Sequence, residues 1–477
     1  MIGILVKKEI RNHVLSFRFL VTFVLLLVIV PVTTLILTND YIRKQDDYSR
    51  RQAEIQNYLS RYAHFNRIGN VIEPSQPPVP FLALVRGLSA DVNMNAFDND
   101  PLPVIFPLLD LTFIVAILLS LAALVFAYDS LSGEKEDGTL KLMLANGLSR
   151  SKIISAKAIG GILTLLIPFL VSLAVGLIII LLNPRVGWKG SDWGALGMIA
   201  VGAVVYFGLF TCLGIFISSR HQSSSSSIMT SLFIWVLTVL VVPNLSPYLA
   251  SLLHPAPSRI MINREVQRIT QDERDELGRK IQKERTAEVL KEYPVLAPVF
   301  RMSEQEILDA IKKDPAFAHA YEALRKTIEA VWREANRIQG DKAKVLWEEL
   351  DRKEKAQTRL SVILSLSSPL AAFSYLTTDL SNTGMRNESH FRAISDGWGQ
   401  AYGDYADNKM EALRKEDPTR DVWNTPVDVS DMPRFQYREE ALTGRIRGVL
   451  GPFTILIVLS IILFSAAYVS FIRYDVR

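Results

Sequence analysis

The chain has 477 residues, enough for two or three domains, and a net charge of only +4. Apolar residues make up 49% of it and charged residues 21%, a mixture that indicates apolar blocks for a bilayer and charged blocks for water. No basic stretch alternates with stacking aromatic residues, so the sequence argues against nucleic acid as a partner.

Six long apolar runs predict membrane-spanning helices. A helix needs about 20 mainly apolar residues to cross a bilayer. The sequence therefore predicts an all-α polytopic membrane protein with six transmembrane helices. The predicted spans are 19–37, 104–127, 159–182, 195–217, 228–248 and 449–471.

The residues around the first two spans give three further expectations. In the segment 38–103, residues 40–67 read as a charged helix and the proline-rich residues 74–80 as an extended linker. Asp110 lies inside the predicted second span, where a carboxylate is a candidate functional group, here on a substrate path. The alternative is that Asp110 lies near enough to the external end of the span for water to reach it.

Residues 128–158, between the second and third spans, contain a loop that resembles a phosphate-binding loop only in part. Gly133 and Gly138 have the right spacing. A Walker A loop then needs Gly-Lys-Ser/Thr, but Gly138 is followed by Thr139-Leu140-Lys141. The loop also follows a membrane helix and not a β-strand, so the sequence argues against nucleotide binding here.

The same region has the pattern of a docking element. Leu140, Met143 and Leu144 share one face of a short predicted helix. Gly147 can end that helix, and Ser149 can cap the next one. A short helix with an apolar face can insert into a groove on a partner protein. The alternative is an ordinary solvated turn between two spans.

The distribution of basic residues predicts the topology. They precede the first span, lie between the second and third, occur at Arg220, and occur again in the tail 472–477. This side is predicted to be cytoplasmic, with both termini on it. The external side then holds the segments 38–103, 183–194 and 249–448.

The long external segment is predicted to be mostly helical. Apolar positions recur at helical spacing among many charges in 261–291 and 321–350, which can form an antiparallel pair. Ser303 with Glu306 has the pattern of a capping box. Residues 382–433 are polar and rich in Gly, Asp and Asn, so they read as loop with short helices.

One run complicates the count of spans. Residues 360–376 are nearly long enough to cross a membrane, but they carry five serines and Pro369. A seventh span would also move the C-terminal arginines to the external side. The run therefore reads as an amphipathic or membrane-skimming helix, with a seventh span as the alternative.

The residue types that bind metals are sparse. The six histidines are scattered singly, and the one cysteine, Cys212, lies inside an apolar run. No histidine pair has zinc-ligand spacing, and there is no Met-rich or Cys-rich tract for copper. The sequence therefore predicts no metal site and no cofactor bound by this chain.

The stretch from Asp129 to Lys157 closely resembles the signature of ABC transporter permeases of the ABC-2 exporter type. Within that family the chain looks most like the branch related to the permeases of multi-copper-enzyme maturation systems. The six spans and a basic amphipathic helix at 1–18 also fit, whereas the long external insertion departs from many members. The residues on the family's characteristic places are Gly133, Glu134, Gly138, Thr139, Leu144, Ser149, Arg150 and Lys157.

The resemblance implies how the chain would work. ATP and Mg would be bound by a separate pair of ABC ATPase subunits, and the permease would pair with a second copy or a sister permease. Residues 128–158 would be the ATPase-coupling region, with Glu134 and Glu136 facing basic residues of the ATPase and with Leu140, Met143 and Leu144 in its groove. In the N-terminal helix, the residues facing lipid phosphates or the ATPase would be Lys7, Lys8 and Arg11.

The resemblance implies a non-catalytic subunit of an ATP-driven exporter in a bacterial inner membrane. One alternative is a mechanotransmitting permease, whose external helices pass ATP-driven motion to a periplasmic partner. An intramembrane enzyme would need paired catalytic residues at one depth, and Asp110 has no evident partner. A receptor or scaffold without an ATPase would leave the Glu134–Thr139 element without a purpose.

Overall fold

The computed structural model describes residues 2–61, 63–87, 109–416, 422–423 and 425–474, and all regular secondary structure in these ranges is helical. Parts of several predicted segments lie outside the described residues. They are 1 of the N-terminal helix, 62 and 88–103 of the first external segment, 104–108 of the second span, 417–421 and 424 of the second external segment, and 475–477 of the tail.

Six helices among the described residues are long and apolar enough to cross a membrane. The chain is therefore a multi-pass membrane protein, and the predicted all-α fold class with six candidate spans is confirmed. The helices that contain the spans are Phe17–Ser60, Leu111–Glu136, Arg150–Leu181, Gly190–Arg220, Ser224–Leu253 and Leu442–Ile472.

The N-terminal part of the chain forms three helices. Helix α1 is Ile2–Val14, and helix α2 is Phe17–Arg61, a single helix of 45 residues that continues far beyond the apolar run. Helix α3 is Phe65–Val71, and a 3₁₀ turn follows at Pro80–Ala83. The predicted charged helix at 40–67 is thus mostly the continuation of the first span.

The second and fifth candidate spans, α4 and α9, each contain a π turn. Such turns add a residue to one helical turn and occur often at functional sites. Helix α4 consists of Leu111–Phe113, the π turn Ile114–Leu119, and Ser120–Ala127. Helix α9 consists of Ser224–Trp235, the π turn Val236–Val241, and Val242–Leu253.

The remaining helices near the membrane are labelled in chain order. Two short helices follow α4, namely α5 (Ser132–Glu136) and α6 (Thr139–Ala145). The third and fourth spans are α7 (Arg150–Leu181) and α8 (Gly190–Arg220). The sixth span, α15, is Leu442–Ile472.

The chain divides into two compact units: Met1–Pro243 with Ser365–Arg477, and Asn244–Leu364. The first unit has its largest core around α8, whose Tyr206, Phe207 and Phe210 are fully buried. Helix α8 has glycines at places where other helices approach too closely for a Cβ atom. A Cβ at Gly214, for example, would lie 2.6 Å from the Ala127 side chain.

The run 360–376 does not form one helix in the structure. The long helix α12 (Pro315–Ser365) ends within it, and a short helix, α13 (Pro369–Leu380), begins at the proline. Helix α13 has no exposed residue, and Leu376 packs so closely on α8 that a Cβ at Gly202 would lie 2.8 Å from its side chain. The expectation of a membrane-skimming helix is therefore replaced by a short helix buried in the core, too short to be a seventh span.

The prediction that 382–433 is mainly loop was wrong. Residues Met385–Glu416 form helix α14, of 32 residues. The prediction relied on polar composition and overlooked aromatic residues that recur at helical spacing in this segment. Trp398 stacks on Tyr402, and its ring also lies against Phe435. Burial of this aromatic line, which composition alone did not reveal, stabilises the helix.

The second unit contains the predicted antiparallel helix pair. Helix α10 runs through Arg259–Gln267, the π turn Arg268–Glu273 and Arg274–Glu292, and it faces α12. Arg259 pairs with Glu354, and Arg285 pairs with Glu334, both at 2.6 Å. The earlier residue of α10 thus pairs with the later residue of α12, so the two helices run in opposite directions. Helix α11 (Glu304–Lys313) begins at the predicted capping box, which is confirmed.

Candidate functional site

The sequence-predicted coupling region lies at one end of the first unit, where α4 leads through α5 and α6 into α7. Two glycines make the turns. Gly138 has φ of 70° at the start of α6 and Gly147 has φ of 75° after its end, a backbone region that residues with a Cβ adopt only under strain. Ser149 occupies the N-cap position of α7 with extended backbone, although its hydroxyl makes no capping bond.

The apolar face of α6 turns into the chain's own core. Leu140 is only 1% exposed, and Met143 and Leu144 pack against the same cluster, which includes Ile153 and Phe471. These three side chains already pack in the chain's own apolar cluster, so in this arrangement they are not available to fill a groove on a partner. The apolar side chain that α6 presents outward is Leu142, at 65% exposure.

Lys157 links three elements through a buried ion cluster. Its Nζ lies 2.7 Å from Oε1 of Glu134 in α5 and 3.5 Å from Oε1 of Glu9 in α1. The Lys157 side chain is only 4% exposed, so its charge depends on these carboxylates. Sequence reasoning assigned Glu134 to a partner and did not find Glu9. The available signal was that Glu9 is the one acidic residue in the basic stretch 1–18.

The coupling region is also tied to α8. The backbone N–H groups of Leu131 and Ser132 both donate to the Ser218 hydroxyl at 2.9 Å. Lys135 donates to the carbonyl oxygens of Ser219 and His221, near the end of α8. Sequence reasoning missed Ser218, because a serine near the end of an apolar helix gives no signal of its partner.

Glu136 stays closer to the surface than Glu134. It is exposed, and its Oε2 accepts a hydrogen bond from the hydroxyl of Ser224, the first residue of α9. Gly133 and Thr139, also predicted for the site, lie beside these carboxylates, and the Thr139 hydroxyl donates to the Glu134 carbonyl. The region therefore contacts the first turn of the fifth span as well.

A second ion pair holds the start of the first span against α4. Arg18 donates to Asp129 at 2.7 Å and to the Tyr128 hydroxyl at 2.9 Å. His13 lies edge-on against Phe126, and burial lowers the pKa of the His13 imidazole below its usual value. The N-terminal helix is thus fixed to the same end of the molecule as the coupling region.

The predicted interfacial residues of α1 are exposed. Lys7, Lys8 and Arg11 all face away from the core, with Lys8 Nζ 3.9 Å from the Met143 sulfur. On its inner side, α1 packs so closely on α7 that a Cβ at Gly160 would lie 2.8 Å from Glu9. Helix α1 therefore presents three cations from a fixed position beside α6.

Arg150 reaches from the start of α7 to the end of the sixth span. Its guanidinium donates to the carbonyl oxygens of Phe471 and Ile472. These are among the last carbonyls of α15, which have no partner within the helix. Arg150 therefore joins the coupling region to the sixth span.

Asp110 lies far from this cluster along the chain and caps the second span. Its Oδ1 accepts from the Phe113 N–H at 2.8 Å, and its Oδ2 accepts from the Arg86 N–H at 3.1 Å. The two hydrogen bonds thus give each carboxylate oxygen of Asp110 a backbone N–H donor. The structure thus gives Asp110 a helix-capping role, and the substrate-path reading stays a prediction.

The site holds no arrangement of side chains that suggests covalent or metal chemistry. Among the residues that the structure describes, no group of three or more His, Cys, Asp or Glu could hold a metal ion. The arrangement instead suits the transmission of movement between helices. A short exposed helix, α6, is linked through charges and packing to α1, α7, α8, α9 and α15.

Comparison with known proteins identifies relatives of this chain. A family model described as "ABC-2 family transporter protein" matches residues 4–476. The probable ABC transporter permease protein NosY of Pseudomonas aeruginosa is 33% identical over 132 residues, which cover 28% of this chain and 48% of that protein. The protein of the same name from Stutzerimonas stutzeri is 30% identical over 131 residues, with the same coverage. The chain thus matches about half the length of these relatives.

Proposed function

Because the chain belongs to the ABC-2 family of transporter proteins, we propose that it couples ATP hydrolysis by a separate subunit to export of a substrate. It is a permease subunit of an ABC-2 type transporter, and such subunits are typically non-catalytic. In the proposed assembly, two ABC ATPase subunits bind ATP and Mg, and two permease chains form the membrane part.

The observation that carries the proposal is the way the exposed helix α6 is connected. Leu142 and Lys141 lie at the surface, whereas Leu140 anchors the same helix in the core. Lys157 then ties the neighbouring α5 to α7 and α1. A partner that pushes on α6 would therefore move several spans together, because a packed core transmits displacement and does not absorb it.

The proposed contact surface differs from the one that the sequence suggested. Leu142, Glu136 and the three cations of α1 are among the accessible groups at this end. Leu142 would fill an apolar pocket of the ATPase, with Glu136 facing its basic residues. A helix that presents an apolar side chain at its surface can dock that side chain in a groove on a partner protein.

The proposed location is a bacterial inner membrane with both termini in the cytoplasm. Support comes from the basic residues of α1, the coupling region and the end of α8, which all meet at one end of the first unit. An even number of spans places these segments on the same side. Membrane lipid surrounds the spans, and the external segments are free to contact a periplasmic partner.

The proposal is tested by co-purification with an ABC ATPase subunit from the same organism. Leu142→Asp places a charge on the exposed face of α6, and we expect at least about a tenfold loss of ATPase binding. The matched control is Leu308→Asp in α11, which changes a leucine of similar exposure, 50%, in the second unit. It should bind the ATPase as the natural chain does.

Two results would contradict the proposal. One is unchanged ATPase binding by Leu142→Asp, measured on protein that elutes as a single peak in size-exclusion chromatography. The other is failure of the natural chain to bind or stimulate any ATPase, which would favour the receptor or enzyme alternatives. ATP hydrolysis by the complex, with and without the permease, gives the second readout.

The second candidate function is mechanotransmission to a periplasmic partner. The observation that favours it is the compact unit Asn244–Leu364, whose helices form many surface ion pairs. A rigid, polar helix pair of this kind suits transmission of motion in water better than passage of a substrate. Removal of this unit, described in the Discussion, distinguishes the two functions.

A further inference from the structure

A cavity of about 510 Å³ opens between the end of α8 and the end of α15. We call it the α8–α15 cavity. Its polar wall consists of Arg220, Arg473 and Tyr474 together with the hydroxyls of Ser219 and Ser470, which are hydrogen-bonded to each other at 2.7 Å. Two guanidinium groups beside hydroxyl donors are the chemistry that binds a phosphate group.

Both arginines are available to a ligand. Arg220 and Arg473 are exposed, and neither side chain makes a hydrogen bond or an ion pair with the described residues. No carboxylate is part of the cavity wall as described. Two unpaired cations in one concave site leave a local excess of positive charge.

The helix ends beside the cavity have their negative poles offset by other residues. The C-terminus of a helix carries about half a negative charge and by itself repels anions. At the end of α8, Lys135 donates to three carbonyl oxygens and also lies 4.4 Å from the centre of the Tyr474 ring. At the end of α15, Arg150 donates to two carbonyl oxygens. The two cavity arginines are therefore not needed to cap these helices.

The position of the cavity indicates a lipid as the source of the phosphate. Arg220 and Ile472 end the fourth and sixth candidate spans, which places the cavity at the level of the lipid headgroups. Phe216 and Val469 form an apolar part of its wall. Farther along α15, Ile461 and Ile462 are more than half exposed, which offers a surface for acyl chains.

We propose that the α8–α15 cavity binds the phosphate group of an anionic phospholipid headgroup. The guanidinium groups of Arg220 and Arg473 hold the phosphate, and the acyl chains lie along the apolar outer face of α15. Basic pockets between spanning helices recognise anionic headgroups in this way. The lipid would bind beside Arg150 and Lys135, which connect this end of the spans to the coupling region.

The test uses the full chain in nanodiscs of phosphatidylcholine with a minor fraction of phosphatidylglycerol. After extraction into mild detergent, the co-purified lipids are counted by mass spectrometry. The variant Arg220→Gln/Arg473→Gln should retain phosphatidylglycerol roughly tenfold less tightly, because each basic residue contributes substantially to anionic lipid binding. Phosphatidylcholine retention should not change.

The control Lys141→Gln/Lys152→Gln removes the same charge from the same end of the molecule, outside the cavity. It should retain phosphatidylglycerol as the natural chain does. Equal retention by the arginine variant, or equal loss in the lysine control, would overturn the proposal. The single variants Arg220→Gln and Arg473→Gln give the same comparison if the double variant does not elute as one peak.

A third arm separates lipid from free phosphate. Inorganic phosphate is titrated calorimetrically against delipidated protein. The proposal expects no arginine-dependent heat at millimolar phosphate, because the apolar contacts of the acyl chains are missing. Arginine-dependent phosphate binding without phosphatidylglycerol retention would show a site for a soluble phosphate compound and would overturn the lipid assignment.

Discussion

Lys157 connects α7 to α5 and α1 within the coupling region. It carries a charge in a nearly closed site, with Glu134 at 2.7 Å and Glu9 at 3.5 Å as partners. The second oxygen of Glu134, Oε2, is buried without a hydrogen-bond partner among the described residues. A buried acceptor without a hydrogen bond raises the free energy of the observed arrangement. Such a cost is compatible with an element that changes its contacts during the proposed transport cycle.

The first prediction concerns this lysine. Lys157→Met leaves two carboxylates without their cation in a site of low dielectric. The free energy of unfolding should fall by about 3 kcal/mol, the range measured when one partner of a buried pair is removed. The measurement is the fraction of detergent-solubilised protein that still elutes as a single peak after heating.

The control for this prediction is Lys152→Met, five residues earlier in α7, where the lysine is half-buried and has no ion pair with the described residues. It should change the melting behaviour little. The triple variant Glu9→Gln/Glu134→Gln/Lys157→Met should recover most of the lost stability, because no unpaired charge remains. A triple variant as unstable as Lys157→Met alone would show that packing of the lysine stem, and not its charge, is what matters.

At the scale of elements, the two π turns in α4 and α9 are neighbours. The Trp235 indole, just before the π turn of α9, donates to the hydroxyl of Ser120, just after the π turn of α4, at 2.9 Å. The Tyr206 hydroxyl donates to the Ala116 carbonyl, within the π turn of α4. These bonds satisfy backbone and hydroxyl groups where the regular helical pattern is interrupted, so the π turns are held by neighbouring helices.

The second prediction tests that role. Trp235→Phe removes the indole donor and leaves a smaller aromatic ring, a loss of volume that the control below shares. It should lower the free energy of unfolding by about 1 kcal/mol, the usual value of a buried hydrogen bond. The measurement compares the thermal unfolding of the variant with that of the natural chain, followed by light scattering or by a dye that does not react with cysteine.

Trp188→Phe is a matched control in the same unit, because the Trp188 indole N–H is buried without a partner among the described residues. Losing an unsatisfied donor should cost less than losing a bonded one, or should even stabilise the protein. Equal destabilisation by the two variants would indicate that ring packing, and not the Trp235–Ser120 bond, holds the π turns together.

At the scale of the whole molecule, the unit Asn244–Leu364 sets this chain apart from a simple six-span bundle. Its own apolar cluster contains Leu296, Phe317 and Leu324, and the described members of that cluster all belong to this unit. Its helices α10 and α12 are joined near their ends by the Arg259–Glu354 pair. Because those ends lie within side-chain reach, the intervening residues can be removed and the gap closed by a short linker.

The third prediction is that the spans fold without this unit. Residues 260–353 are replaced by a linker of about six Gly and Ser residues, a length that spans the distance between the paired ends. The shortened permease should elute as a single peak and should still bind and stimulate the ATPase. The measurement is ATP hydrolysis by the co-purified complex.

The same deletion separates the two candidate functions. If the unit only transmits motion to a periplasmic partner, ATP hydrolysis persists and the cell loses the partner's activity. If the unit forms part of a transport path, substrate export falls while other external proteins keep their activities. Loss of ATPase binding by a well-folded deletion variant would contradict the placement of the coupling contact at α6.

Hydrophobic runs and glycine-bounded turns were enough to predict much of this protein. The six spans, the helix at Thr139–Ala145 and the capping box at Ser303 follow from local rules: the length of an apolar run, the positive φ of a glycine, and the reach of one side chain to a nearby N–H. The family resemblance rested on the same short stretch, 129–157, and the family match confirmed it.

Other features depend on residues that are distant in sequence, and no local pattern reveals them. The inward turn of Leu140, the pairing of Lys157 with Glu9, and the burial of α13 each need a partner from another helix. Helix α14 was missed because its stability comes from aromatic packing and not from composition. Local helix propensity contributes little to the folding free energy, whereas burial against distant segments contributes much. Tertiary packing therefore determined which helix faces lie in the core and which remain exposed.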